Sequence, residues 1–211
     1  WRVDVGTVGF GNDPAAERLV RRIRALPSAD PVLLGGRAAF LVDQKRSLGE
    51  RLPWALVAIV LVSLLALFAM TGSLLLPLKA VLLNLLTISA VFGVLVLIFQ
   101  RGHLQGLLAF RSPGAIDTTQ PLMIAAIAFG LSTDYGVFLL SRIKEARDGG
   151  AEERHAIAFG VERTGRIVTA AALLFVVAIG AFATSRIVQI KEIGVGTALA
   201  VILDATIVRA L

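Results

Sequence analysis

Residues 122–142 read LMIAAIAFGLSTDYGVFLLSR, and how they are read decides the fold. The run is apolar enough to cross a membrane. Yet Asp134 and Tyr135 lie well inside it, with no lysine or arginine before Arg142. A carboxylate in that position needs an explanation.

The composition around it is that of a membrane protein. Of 211 residues, 56% are hydrophobic and 17% charged, against ~25% charged in an ordinary soluble domain. Mean hydropathy is +0.81. The net charge of +6 is mild for a nucleic-acid binder, and no aromatic–basic stripe accompanies it. It reads as loop arginines near lipid headgroups, so membrane lipids are expected partners and nucleic acid is not. The absence of cysteine excludes disulfides, thiolate metal sites and cysteine catalysis. The chain opens at Trp1 without a signal peptide and stops within the apolar LDATIVRAL, so a fragment cut at both ends is expected.

Residues 1–52 are polar. WRVDVGTVGF alternates like a strand. DPAAERLVRRIRAL has an aspartate cap, proline at the first helical position and apolar residues at helical spacing. PVLLGG reads as a short strand and turn, and RAAFLVDQKRSLGERL as a second helix. Together they make an α+β element too short for a whole domain. Apolar segments at 54–70, 75–99, 120–141, 167–185 and 193–211, the last truncated, then predict membrane spans. Each full segment reaches roughly the 20 residues that cross ~30 Å of hydrocarbon. The expected fold is thus predominantly α-helical, with five transmembrane helices over 53–211 preceded by the end of an α+β domain. Basic residues do not orient it. Residues 142–166 plus Lys79 balance the loops on the other side once Lys45, Arg46 and Arg51 are counted.

Asp134 lies about fourteen residues into its span, roughly 21 Å along it. A central aspartate costs about 2.5–3.5 kcal/mol on insertion scales. A partner, water or protonation must offset that, and a group that changes charge with its surroundings suits a proton relay. Ala126, Gly130 and Asp134 are spaced by four, so they share one helix side. The small residues there would let another helix approach, and burial of Asp134 among helices is expected. Tyr135 adds a hydroxyl donor, and Ser132, Thr133 and Gly136 make the turn more polar. The competing reading is a structural polar knot. Asp204 follows the same logic with less force, because Arg209 could pair with it. Asn84, Thr87 and Ser89 read as interhelical glue. Lys79 is expected to snorkel, and His103 and His155 to lie solvated in loops. Asp204, Ser132 and Asn84 form a secondary candidate polar site. ERHAIAFG is not HExxH, and no GxSxG occurs, so protease and esterase chemistry has no motif. No catalytic residue, metal or cofactor is expected.

Taken together, these residues resemble the MmpL branch of the resistance–nodulation–division (RND) transporters. GLSTDYGVFLLSRIKE resembles the Asp–Tyr motif on a middle helix of that family's second half. LLGGRAAFLVDQKRSL resembles the end of its second extracytoplasmic porter domain. LLLPLKAVLLNLLTISAVFGVLV and LDATIVRAL resemble the second and last helices of that bundle. The resemblance covers nearly the whole chain. It implies a bacterial plasma-membrane protein with residues 1–52 and 101–119 outside and 142–166 in the cytoplasm. It also implies that Asp134 and Tyr135 work as a proton relay opposite a matching Asp–Tyr helix in the absent N-terminal half. The implied function is export of lipids or other hydrophobic compounds driven by the proton-motive force, by a secondary active transporter and not an enzyme. A Sec-associated protein-export factor and a ligand-sensing membrane module remain alternatives.

Overall fold

The computed structural model describes residues 3–6, 14–27 and 33–207, and the regular structure there is all helical. Residues 1–59 and 60–211 form two compact units. In the first, α1 (Pro14–Arg24) opens on proline, whose fixed φ suits a helix start. Its Val20 packs with Ala39 and Val42 of α2 (Arg37–Thr71). Ion pairs join the same helices: Lys45 to Glu17, and Arg24 to Asp43 with a second contact at 2.8 Å. The Arg24 hydrogen bond holds the Asp43 carboxyl below its ordinary range.

The strands expected at 1–10 and 31–36 do not form in the parts described, 3–6 and 33–36. The rest of both stretches lies outside the described residues. A strand needs a ladder of backbone bonds to a neighbouring strand, and among the described residues no such ladder forms at 3–6 or 33–36. The expected break between a helix ending near 52 and a span starting at 54 is also absent. Pro53 lies inside α2, removing one backbone bond without ending the helix.

The second unit begins within α2 and turns at Gly72 into α3 (Leu75–Leu95), which ends in a π-helical turn, Val96–Gln100. The short α4 (Gln105–Leu108) interrupts the loop to α5 (Thr119–Asp148). Then come α6 (Glu153–Gly180), a 3-10 turn (Ala181–Thr184) and α7 (Val188–Thr206). The charged segment 142–166 is therefore mostly helix, because α5 and α6 run past their apolar portions and leave 149–152 as the turn. His155 lies in α6, not in a loop. Ala156, Gly160, Thr164, Val168 and Ala172 are buried at intervals of four, one continuous face. Gly160 on that face meets Ile143 of α5. The first part of α6 thus packs against the end of α5 as a helix hairpin.

Helix α7 contacts α3, α5 and α6. Small residues on it, Gly194, Gly196, Thr197 and Ala200, are buried and let neighbouring backbones come close. A Cβ on Gly194 would stand 2.8 Å from the Ala183 nitrogen. The core runs through Leu95, Phe99, Ile124 and Ala200. Large apolar side chains also cover the outside, among them Leu85, Leu86, Leu173, Leu174 and Val177. Helices apolar on both sides belong in lipid. Four are long and apolar enough to cross a membrane: Arg37–Thr71, Leu75–Gln100, Thr119–Asp148 and Glu153–Thr184. The fifth expected span, α7, is not among them; it carries Lys191, Glu192 and Asp204. The chain is a multi-pass membrane protein.

Candidate functional site

Helix α5 has two faces of different fate. Gln120, Ile124 and Ala128 repeat every four residues and are buried. Ala126, Gly130 and Asp134 also repeat every four, but are exposed. An offset of two residues turns a helix by about 200°, so the stripes lie on opposite sides. Asp134 therefore points away from the helices of this chain, where burial among them was expected. The Ile124 stripe meets α7 through Gly196, and this fixes the rotation of α5.

Tyr135, the next residue, is half-buried and lines a cavity of about 250 Å³. Asn84 of α3, Ser132 of α5 and Asp204 of α7 line it too, among apolar walls that include Leu67, Phe129 and Val168. Ser132 Oγ donates to Asp204 Oδ1 at 2.5 Å. The three residues of the secondary polar site are thus gathered around one space. Asp134 is not among its lining residues. Arg209, the sequence-level partner for Asp204, lies outside the described residues. Asn84 and Thr87 are buried. Ser89 is exposed and bonds to the Leu85 carbonyl at 2.8 Å, so it serves its own helix and not an interhelical contact.

Lys79 also lines this cavity while remaining exposed, a role that the sequence reading missed. The signal was available: Leu76, Lys79 and Leu83 fall at helical spacing on one side of α3. A long apolar stem and a charged tip let such a lysine border a cavity and water together. The arrangement offers a hydroxyl-bound carboxylate, an ammonium, an amide and a phenol around one apolar space. On the other side of α5 stands a second carboxylate.

The opposite end of the bundle holds Lys191 and Glu192, which were read as part of a connecting loop. Helix α7 already begins at Val188, so both lie within its first two turns and are buried. Lys191 donates to the Leu108 carbonyl, and its Nζ lies 3.5 Å from the Ala109 carbonyl and 5.9 Å from the Phe110 ring centre. Among the described residues no cluster of three His, Asp or Glu could hold a metal.

The model of the MMPL family matches residues 2–211. A membrane protein of Streptomyces coelicolor is 46% identical over 203 residues, 96% of this chain and 29% of that protein. The trehalose monomycolate exporter MmpL3 of Mycobacterium tuberculosis is 39% identical over 224 residues, 99% of this chain and 24% of its own length. The heme uptake protein MmpL11 of the same species is 38% identical over 181 residues, 86% of this chain and 19% of MmpL11. The chain therefore spans less than a third of each of these relatives.

Proposed function

This chain belongs to the MMPL family, and we propose that it forms part of a membrane transporter that exports lipids or other hydrophobic compounds at the expense of the proton-motive force. The observation that carries this reading is the position of Asp134. It lies in the middle of an apolar helix, beside Tyr135, on a small-residue stripe that is exposed among the described residues. A carboxylate there is unfavourable in lipid and needs a partner. We assign that partner to an Asp–Tyr helix in another part of the full-length protein. Protonation of Asp134 would weaken hydrogen bonds across that contact and let the two halves shift. The membrane potential contributes ~2.3 kcal/mol per charge per 100 mV, enough to bias such a shift.

In the same reading, residues 1–52 belong to an extracytoplasmic domain and residues 53–211 to a bundle with α7 as its fifth span. The turn at 149–152 faces the cytoplasm of a bacterial plasma membrane. The exporter name of one relative and the uptake name of another agree on a hydrophobic cargo and differ on direction.

The test is reconstitution of the full-length protein in vesicles with an imposed pH gradient and a fluorescent lipid. Lipid movement should follow the gradient, stop with a protonophore and be lost in Asp134→Asn. Movement indifferent to the gradient would overturn the reading and favour a ligand-sensing module.

A further inference from the structure

Glu192 takes no part in the relay just described. It is 2% exposed, and its Oε2 has no hydrogen-bond partner among the described residues. The Oε1 of Gln120 is likewise buried without one. Register shows that these two belong together. Ser132 bonds to Asp204, 72 positions along the chain. Ile124 abuts Gly196, with the same offset. Helices that keep one offset over two turns run parallel, and that offset carries Gln120 to Glu192.

Two facing acceptor oxygens repel each other and leave both desolvated. A proton on the carboxyl makes Glu192 a donor and satisfies both atoms at once. The surroundings favour that proton. Burial disfavours a bare carboxylate, and Asp117 at the approach to α5 adds negative charge. Opposing charge is turned elsewhere, since Lys191 is committed to the Leu108 and Ala109 carbonyls. The π-helical turn brings no charged residue, and Arg101, His103 and Arg111 in the loop after it are exposed. Helix α5 carries none between Thr119 and Asp134, and Arg186 after the 3-10 turn is exposed.

We propose that Glu192 is a proton-binding site at the loop end of the bundle, donating to Gln120 when protonated and releasing it when ionised. Its occupancy sets how tightly α5 and α7 are joined at that end. This deepens the transport reading, because the same α5 carries Asp134; Glu192 is then the group through which protons on the loop side bias the helix.

Infrared difference spectra of the full-length transporter in lipid vesicles, taken between mildly acidic and mildly alkaline pH, test this directly. The wild type should show a protonated-carboxyl band titrating near neutrality. Glu192→Gln, which keeps size and polarity, should lose one carboxyl's worth of that band. Asp134→Asn should retain it, and Gln120→Leu should shift its frequency. A neutral-range band unchanged in Glu192→Gln would overturn the inference, even where transport still follows the proton gradient. Loss of the band in that variant alongside gradient-independent transport would support the site and overturn the transport reading alone.

Discussion

Asp134 and Glu192 are both carboxylates in an apolar bundle, and the chain treats them in opposite ways. Glu192 is buried on α7, which packs against α3, α5 and α6. Asp134 is turned outward on the bare side of α5. An enclosed carboxylate must settle its charge locally, by holding a proton. An outward one in lipid depends on something beyond these helices. The contrast separates a carboxylate that the described helices enclose from one that they leave uncovered.

Five substitutions probe that contrast, taken from the largest expected effect. Asp134→Asn in the full-length protein should reduce transport on the order of 100-fold or more, the scale of a lost proton-transfer group. Expression and thermal stability should stay near wild type because asparagine keeps the size and hydrogen-bonding capacity of the side chain; a large loss of stability would mean that Asp134 is a structural knot. Gly194→Ala should destabilise the bundle by roughly 2–3 kcal/mol, since the new Cβ meets the Ala183 backbone at 2.8 Å. The analogous Gly196→Ala meets only the movable tips of Ile124 and Leu95 and should cost less. Denaturation in detergent ranks the two, and equal losses would place the tight approach elsewhere.

The pH response has a definite sign. A buried carboxyl that holds its proton in the fold binds that proton more tightly folded than unfolded. Its stabilising contribution is present at lower pH and is lost as pH rises and the carboxyl ionises. Thermal midpoints should therefore fall by a few degrees between about pH 6 and about pH 8 in the wild type, and stay flat in Glu192→Gln. The smallest effect belongs to Ser132→Ala, which should cost about 1.5 kcal/mol by removing the 2.5 Å bond to Asp204. A silent Ser132→Ala would show that cavity water replaces the hydroxyl.

Much of this was legible in the sequence. Apolar runs mark α3, the later parts of α2 and α6 and the earlier part of α5, and the Asp–Tyr pair in α5 points to the family. Ser132, Asn84 and Asp204 were singled out as polar residues in apolar runs, and they line one cavity. Periodicity placed Ala126, Gly130 and Asp134 on one face but not which face turns inward. Neighbours decide that, here through Ile124 against Gly196. Helix ends were misjudged where charged residues continue a helix beyond its apolar part, as at 142–148 and 153–166. Lys191 and Glu192 went unread because charge in sequence suggests a solvated loop. Their burial depends on the Leu108 and Ala109 carbonyls, brought to Lys191 from far along the chain.

Helix α5 is a single rod of 30 residues, about 45 Å long against ~30 Å of hydrocarbon. Roughly 15 Å of it therefore stands clear of the bilayer. Pivoting about its middle, where Asp134 lies, a tilt of about 5° moves each tip by about 2 Å. That distance exceeds the tolerance of a hydrogen bond. One tip carries Gln120; near the other, Ile143 presses on Gly160. A small tilt about the centre would thus make or break contacts at both ends of the rod.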